Sequence, residues 1–173
     1  MMLVTQQRVG EDTGHIRSEA PLTWQYLEDH AQFFARRGSS IYRNKPPFSI
    51  FGVGAYSFTP WKIAISGFYK NLRFLRIGPS VGVSVVFDDT VNFLSCSSEE
   101  EANLLYELLT SGEAADFYNS MINWDEKRPI TVDLLRRLSI EKLATQLGRR
   151  DEYVRFTTAQ HGPLFGAVSQ NAA

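Results

Sequence analysis

The chain has 173 residues, 43% apolar and 21% charged, enough to bury a core without staples. Its single cysteine, Cys96, excludes an internal disulfide and a zinc site built of cysteines, and no apolar run reaches the ~18 residues that a membrane helix needs. The formal net charge of −1 excludes nothing, because the distribution of charge says more than its sum.

The N-terminal residues Met1 to Arg8 carry no long apolar stretch, so no signal peptide is expected. Cys96 ends an apolar run and reads as a small buried hydrophobe. A cytoplasmic setting with no membrane partner is the expectation.

Residues 1–20 are polar, with Gly10 and Gly14, and predict a short strand followed by a loop. Residues 21–34 predict a helix, with Pro21 in its first turn and Leu22, Tyr26, Phe33 and Phe34 at roughly helical spacing. Gly38 is the expected stop. From 39 to 96 the chain is rich in β-branched and aromatic residues and punctuated by glycine and proline. Strands are predicted near 48–53, 61–66, 73–77, 83–87 and 91–96.

Helical spacing then returns. Ser98 is placed to cap a helix that opens on Glu99, Glu100 and Glu101, where acid suits the helix dipole. Ala102, Leu104, Leu105, Leu108 and Leu109 form its core face. Gly112 is expected to end it, a short helix to follow over 114–122, and Lys127-Arg128-Pro129 to turn. Thr131 and Ser139 are candidate caps for helices over 132–138 and 140–147. A tail is expected over 151–173, frayed from Gly162. The order predicts an α+β fold, a mixed or antiparallel sheet flanked by an N-terminal helix and a C-terminal group of helices, in a single domain over 1–150.

The charge pattern is uneven. No Asp or Glu occurs in the 57 residues from Ala31 to Phe87, where an even spread of 19 acids over 173 residues would put about six. The same stretch holds Arg36, Arg37, Arg43, Lys45, Lys62, Lys70, Arg73 and Arg76. A basic surface without interspersed acid attracts a polyanion by neutralising phosphates and releasing counterions. Ser and Tyr hydroxyls suit phosphate oxygens, and arginine also reads guanine edges.

Signals for chemistry are weak. Phe51-Gly52-Val53-Gly54 lacks the third glycine and the following helix of a dinucleotide fingerprint. It reads as a tight turn or as backbone that approaches a ligand closely. Asp88-Asp89-Thr90 offers paired carboxylates that a metal-dependent nuclease could use, but without a further acid and lysine at the usual spacing it reads first as a capped turn. His15, His30 and His161 show no ligand spacing. Trp24, Trp61 and Trp124 read as core rather than stacking platforms. No nucleophile elbow or phosphate-binding loop occurs, so no cofactor, no metal and no catalytic residue is expected.

The segments 37–58 and 61–70 resemble the target-recognition (C-terminal specificity) region of adenine-N6 DNA methyltransferases of restriction-modification systems. Phe87 to Leu94, Lys127-Arg128-Pro129-Ile130-Thr131 and the opening Ala20 to Leu27 resemble further pieces of the same region, and together these cover roughly residues 5–140. The resemblance implies a sheet-based module that grips duplex DNA while a catalytic domain flips out an adenine. The family's catalytic Asn/Asp-Pro-Pro-Tyr/Phe loop is missing, since Lys45 stands before Pro46-Pro47-Phe48 where an amide or carboxylate belongs. The cofactor-binding glycine motif is missing too. The chain is therefore expected to be a fragment, a split-gene product or a separate specificity subunit, without methyl transfer of its own. Arg37, Ser39, Ser40, Tyr42, Arg43, Lys45, Lys62, Lys70 and Arg73 are the candidate DNA-side residues. Double-stranded DNA is the expected partner. The alternative is a protein-interaction subunit whose 98–147 helices dock a separate catalytic methyltransferase chain.

Overall fold

In the computed structural model, which describes residues 3–157, the β-branched run at 61–66 becomes the middle strand of a three-stranded sheet. β1 (Trp61–Ser66) pairs antiparallel with β2 (Leu75–Ile77) on one side and with β3 (Val91–Cys96) on the other. The register sets Ile63 opposite Arg76 and Leu94, and Lys62 opposite Ile77 and Ser95. The fold is α+β. Its described residues fall into two compact units, 3–57 and 58–157.

In the second unit one sheet face supplies Ile63, Ile65, Leu94 and Cys96 to the core. α4 (Glu99–Leu109) packs on it through Leu104, Leu105, Leu108 and Leu109, all buried, each contributing about 1.5–3 kcal/mol. Ser98 Oγ accepts from the Glu101 amide at 3.2 Å, and the Glu101 carboxylate reaches back to the Ser97 amide at 2.6 Å. These bonds satisfy donors that a helix start leaves orphaned. Gly112 does not end this helix. The chain leaves α4 at Thr110, and Ser111 Oγ then caps the next helix by accepting from the Ala114 amide, so Gly112 is the first residue of α5 (Gly112–Asn119). Buried Tyr118 donates its hydroxyl to the Leu135 carbonyl at 3.0 Å. Thr131 and Ser139 do cap α6 (Val132–Leu135) and α7 (Ile140–Gln146). Beyond 150, where a tail is expected, the chain forms α8 (Arg150–Thr157) with Tyr153 buried in the core. The frayed end predicted from Gly162, and His161, lie outside the described residues.

Three predicted strands are absent. Residues 83–87 make only a bridge, Ser80 to Val83. β1 already has both edges occupied, and Ser84 Oγ donates instead to the Phe58 carbonyl at 2.7 Å. Residues 48–53 also stay out of any ladder. Phe48 and Gly52 have φ of 62° and 77°, which break an extended run. The N-terminal segment satisfies the loop through side chains. Thr5 Oγ1 donates to the Phe48 carbonyl at 2.8 Å, Gln6 Nε2 donates to the Val53 carbonyl at 3.1 Å, and Gln6 Oε1 accepts from the Ile50 amide at 3.0 Å. The strand expected within residues 1–20 is replaced by these bonds, a 3₁₀ turn (Thr13–His15) and α1 (Ile16–Glu19).

The predicted helix over 21–34 is broken at His30 into α2 (Pro21–Asp29) and α3 (Ala31–Ala35). Its inward face is Ala20, Trp24, Leu27 and Phe34, gathered with Ile16 around Phe48. Of the residues at helical spacing, Leu22, Tyr26 and Phe33 are exposed, and Phe34 packs on the core.

Candidate nucleic-acid interface

The first unit presents its cations on a braced turn. Arg37 sits over two rings, its guanidinium carbon 4.4 Å from the centroid of Phe34 and 4.3 Å from that of Tyr42, and donates to the Ser49 carbonyl at 2.6 Å. Ser39 caps a 3₁₀ turn (Ser40–Tyr42). The chain then turns back through Arg43 N to Ser40 O at 3.0 Å and Lys45 N to Tyr42 O at 3.3 Å, with Asn44 between them at φ 60°. Asparagine tolerates this left-handed conformation better than most residues. Arg43 and Lys45, on either side of it, are both exposed, as are Ser39, Ser40 and Arg36. Arg37 and Tyr42 therefore brace the turn from within, while Arg43 and Lys45 are the side chains it offers to solvent.

In the second unit the loop from β1 to β2 folds on short local bonds, Asn71 N to Tyr69 O at 2.8 Å and Arg73 N to Asn71 O at 2.9 Å. These i to i+2 turns delay β2 until Leu75 and leave Tyr69, Lys70 and Arg73 exposed. Among the described residues, Arg36, Arg43, Lys45, Lys70 and Arg73 have no ion pair.

Lys62 departs from its expected place on the DNA side. Its side chain is wholly buried on the second face of β1, where the ammonium donates to the Thr59 carbonyl and lies 5.9 Å from the centroid of Phe93. Burial lowers its pKa to about 8, because a charged ammonium loses water there. A strand residue whose neighbours on the same face are covered cannot reach a polyanion, so in this conformation Lys62 offers no phosphate contact. Arg76 is also spoken for, held by Glu99 at 2.9 Å and by Asn103.

The other candidates resolve into structural roles. A Cβ on Gly54 would lie 2.8 Å from the Tyr56 ring, so Gly54 makes room for the chain's own aromatic, and the Gly52 carbonyl accepts from the Tyr56 hydroxyl at 2.9 Å. Asp88 accepts from the Thr90 amide at 2.9 Å and from the Thr90 hydroxyl, which keep its carboxyl below the ordinary pKa. Asp89 lies 3.9 Å from Arg128. Among the described residues no group of three His, Cys, Asp or Glu could hold a metal ion. Cys96 is fully buried, and burial pushes its thiol up to about 12. Trp24, Trp61 and Trp124 pack against the two cores. No helix among the described residues is long and apolar enough to cross a membrane.

The helical spacing of Leu22, Tyr26 and Phe33 does not tell which face of α2 and α3 is buried, and these three are exposed. The usable signal is a second apolar stripe, Ala20 at the N-cap with Trp24 and Leu27 on α2, which competes with 22 and 26 for the core.

The chain is 55% identical over 143 residues to the type II methyltransferase M.NspV of Nostoc sp. (strain ATCC 29411 / PCC 7524). The match takes in 83% of this chain but 30% of that protein, so the chain is related to a segment of a type II methyltransferase. No family model matches it, and no solved structure does.

Proposed function

We propose, with kinship to a segment of a type II methyltransferase as the premise, that this chain is the DNA-recognition module of an adenine-N6 methyltransferase of a restriction-modification system. It binds double-stranded DNA and leaves methyl transfer to a catalytic part outside it. The observation that carries this reading is the acid-free stretch from Ala31 to Phe87, from which Arg43, Lys45, Lys70 and Arg73 stand exposed and unpaired among the described residues.

In this mechanism the exposed cations neutralise backbone phosphates, and the Ser39 and Ser40 hydroxyls add hydrogen bonds to phosphate oxygens. One or two arginines read base edges, because a guanidinium matches guanine bidentately. Arg37 and Tyr42 hold the 39–45 turn in shape and contribute through it. Lys62 belongs to the fold.

Binding of the full chain to a mixed-sequence duplex of about 30 base pairs, followed by fluorescence anisotropy, tests the reading. Affinity should fall between about 50 and 200 mM salt with a log–log slope near −0.9 for each phosphate neutralised. Binding that ignores salt over this range, or no binding at all, would falsify it.

A further inference from the structure

β2 runs out of the sheet into a hairpin whose tip the fold does not use. Ser80 and Val83 exchange both of their backbone bonds at 2.9 Å, which leaves Val81 and Gly82 as a two-residue turn. Both have positive φ, 51° and 75°, as a type I′ turn requires. The base of the hairpin is fixed. A Cβ on Gly78 would lie 2.6 Å from the Trp61 ring, so the chain passes close against a tryptophan that packs on the core, and Ser84 Oγ donates to the Phe58 carbonyl at 2.7 Å. Residues 79–83 are all exposed.

Valine suits this turn badly unless its side chain acts outside the fold. A β-branched residue at positive φ is strained, and Asn-Gly is the pair that such a turn favours. Val81 is 100% exposed, so no packing among the described residues offsets the strain. Outliers of this kind cluster at functional sites. The surroundings select nucleic acid over protein. Valine is under-represented among the anchors of protein interfaces. Residues 77–87 carry no charged side chain, so no acid within the ribbon repels phosphate, and Arg76, just before it, is neutralised by Glu99 at 2.9 Å. A two-stranded ribbon is of a width that the major groove of DNA admits. The exposed Lys70 and Arg73 precede β2 in the same unit, and the chain from Arg73 to Val81 spans at most about 29 Å, so one duplex can meet both.

We propose that Val81 enters the major groove and packs against the C5 methyl of a thymine, reading an A·T pair of the recognised sequence. Its stem is too short for a wedge between base pairs, where Phe, Leu, Ile or Met serves. Its two methyl groups suit the thymine methyl, an apolar mark that cytosine lacks. A module that serves an adenine methyltransferase meets a thymine opposite every candidate target. The inference rests on the module reading above, and it adds an apolar base contact to the phosphate contacts of the exposed cations.

The test selects bound sequences from a pool of duplexes with a randomised centre, using the full 173-residue chain. Each thymine of the enriched duplex is then replaced in turn by deoxyuridine, which removes the C5 methyl alone. In fluorescence anisotropy wild type should lose about fourfold in affinity at one thymine, the worth of one buried methyl group. V81N should show no loss at that position, and its thermal melt should lie at or above that of wild type, because Asn suits the turn. Equal sensitivity of V81N and wild type at every thymine, or a wild type indifferent to every replacement, overturns the proposal. So does a V81N melt below wild type, which would show that the valine serves the fold. Salt-dependent binding with no enriched sequence sinks this inference and leaves the module reading standing, whereas absence of duplex binding sinks the module reading itself.

Discussion

The loops between α3 and β2 and the helices after β3 use the same charged residue types to opposite ends. Around the C-terminal helices Arg149 and Arg150 are matched within the chain. Arg149 spans Glu107 on α4 and Glu152 on α8, the latter at 2.7 Å, and Arg150 reaches Glu141 at 3.4 Å. These carboxylates push the Arg149 pKa up, with the Glu152 hydrogen bond leading. In the 39–45 turn and the 67–73 loop, Arg43, Lys45, Lys70 and Arg73 have no such partner among the described residues. The difference teaches that a near-neutral chain can still leave a group of cations without acid partners, because its acids lie elsewhere in the sequence.

The strongest way to break this comparison is to reverse the free charges. R43E/K45E should lower duplex affinity about 100-fold at low salt, measured by anisotropy, with little change in the melt. An unchanged affinity would mean that the turn is a solvated face only. Next in size is R149A. It should cost about 1–2 kcal/mol of stability, seen as a fall of several degrees in Tm, while duplex affinity stays within twofold. A loss of DNA binding there would erase the distinction between matched and free cations.

Lys62→Met sharpens the comparison from inside the acid-free stretch. Replacing a buried ammonium by an apolar chain of similar length should be neutral or stabilising by up to about 1 kcal/mol, with duplex affinity unchanged. The gain should depend on pH. The folded state sheds the Lys62 proton near 8, before the unfolded chain does at about 10.4. The penalty is therefore complete below about pH 8 and is relieved as pH rises toward the unfolded value. The stability difference between variant and wild type should shrink over that interval in chemical denaturation. A difference flat in pH would show that the ammonium is not the group responsible. The smallest effect belongs to R76A. Glu99 already neutralises this arginine, so duplex affinity should change less than twofold; a loss matching that of Arg43 would put Arg76 on the binding surface.

Parts of the fold were legible because their signals are local. The Ser98, Thr131 and Ser139 caps each need only one hydroxyl at the right offset from an amide, and all three form. The runs at 61–66 and 91–96 have enough β-branched and apolar residues to specify strands, and both appear at the expected residues. Gly112 was misread because a glycine after a helix looks like a stop, while the competing Ser111 cap starts another helix one residue earlier. For the candidate interface, the bare list of cations was legible. Their exposure was not, since Lys62 and Lys45 look alike until the neighbours of β1 are known.

What the amino-acid order determined by itself is the absence of acid between residues 31 and 87, the helix starts and the two long strands, because each depends on residues adjacent in the chain. Tertiary structure alone decided which cations remain available and which stripe of α2 faces water. Those outcomes depend on partners far along the chain: Glu99 for Arg76, the Thr59–Phe93 surroundings for Lys62, and Phe48 for Trp24. Burial is a property of what packs against a side chain, and no local pattern contains it.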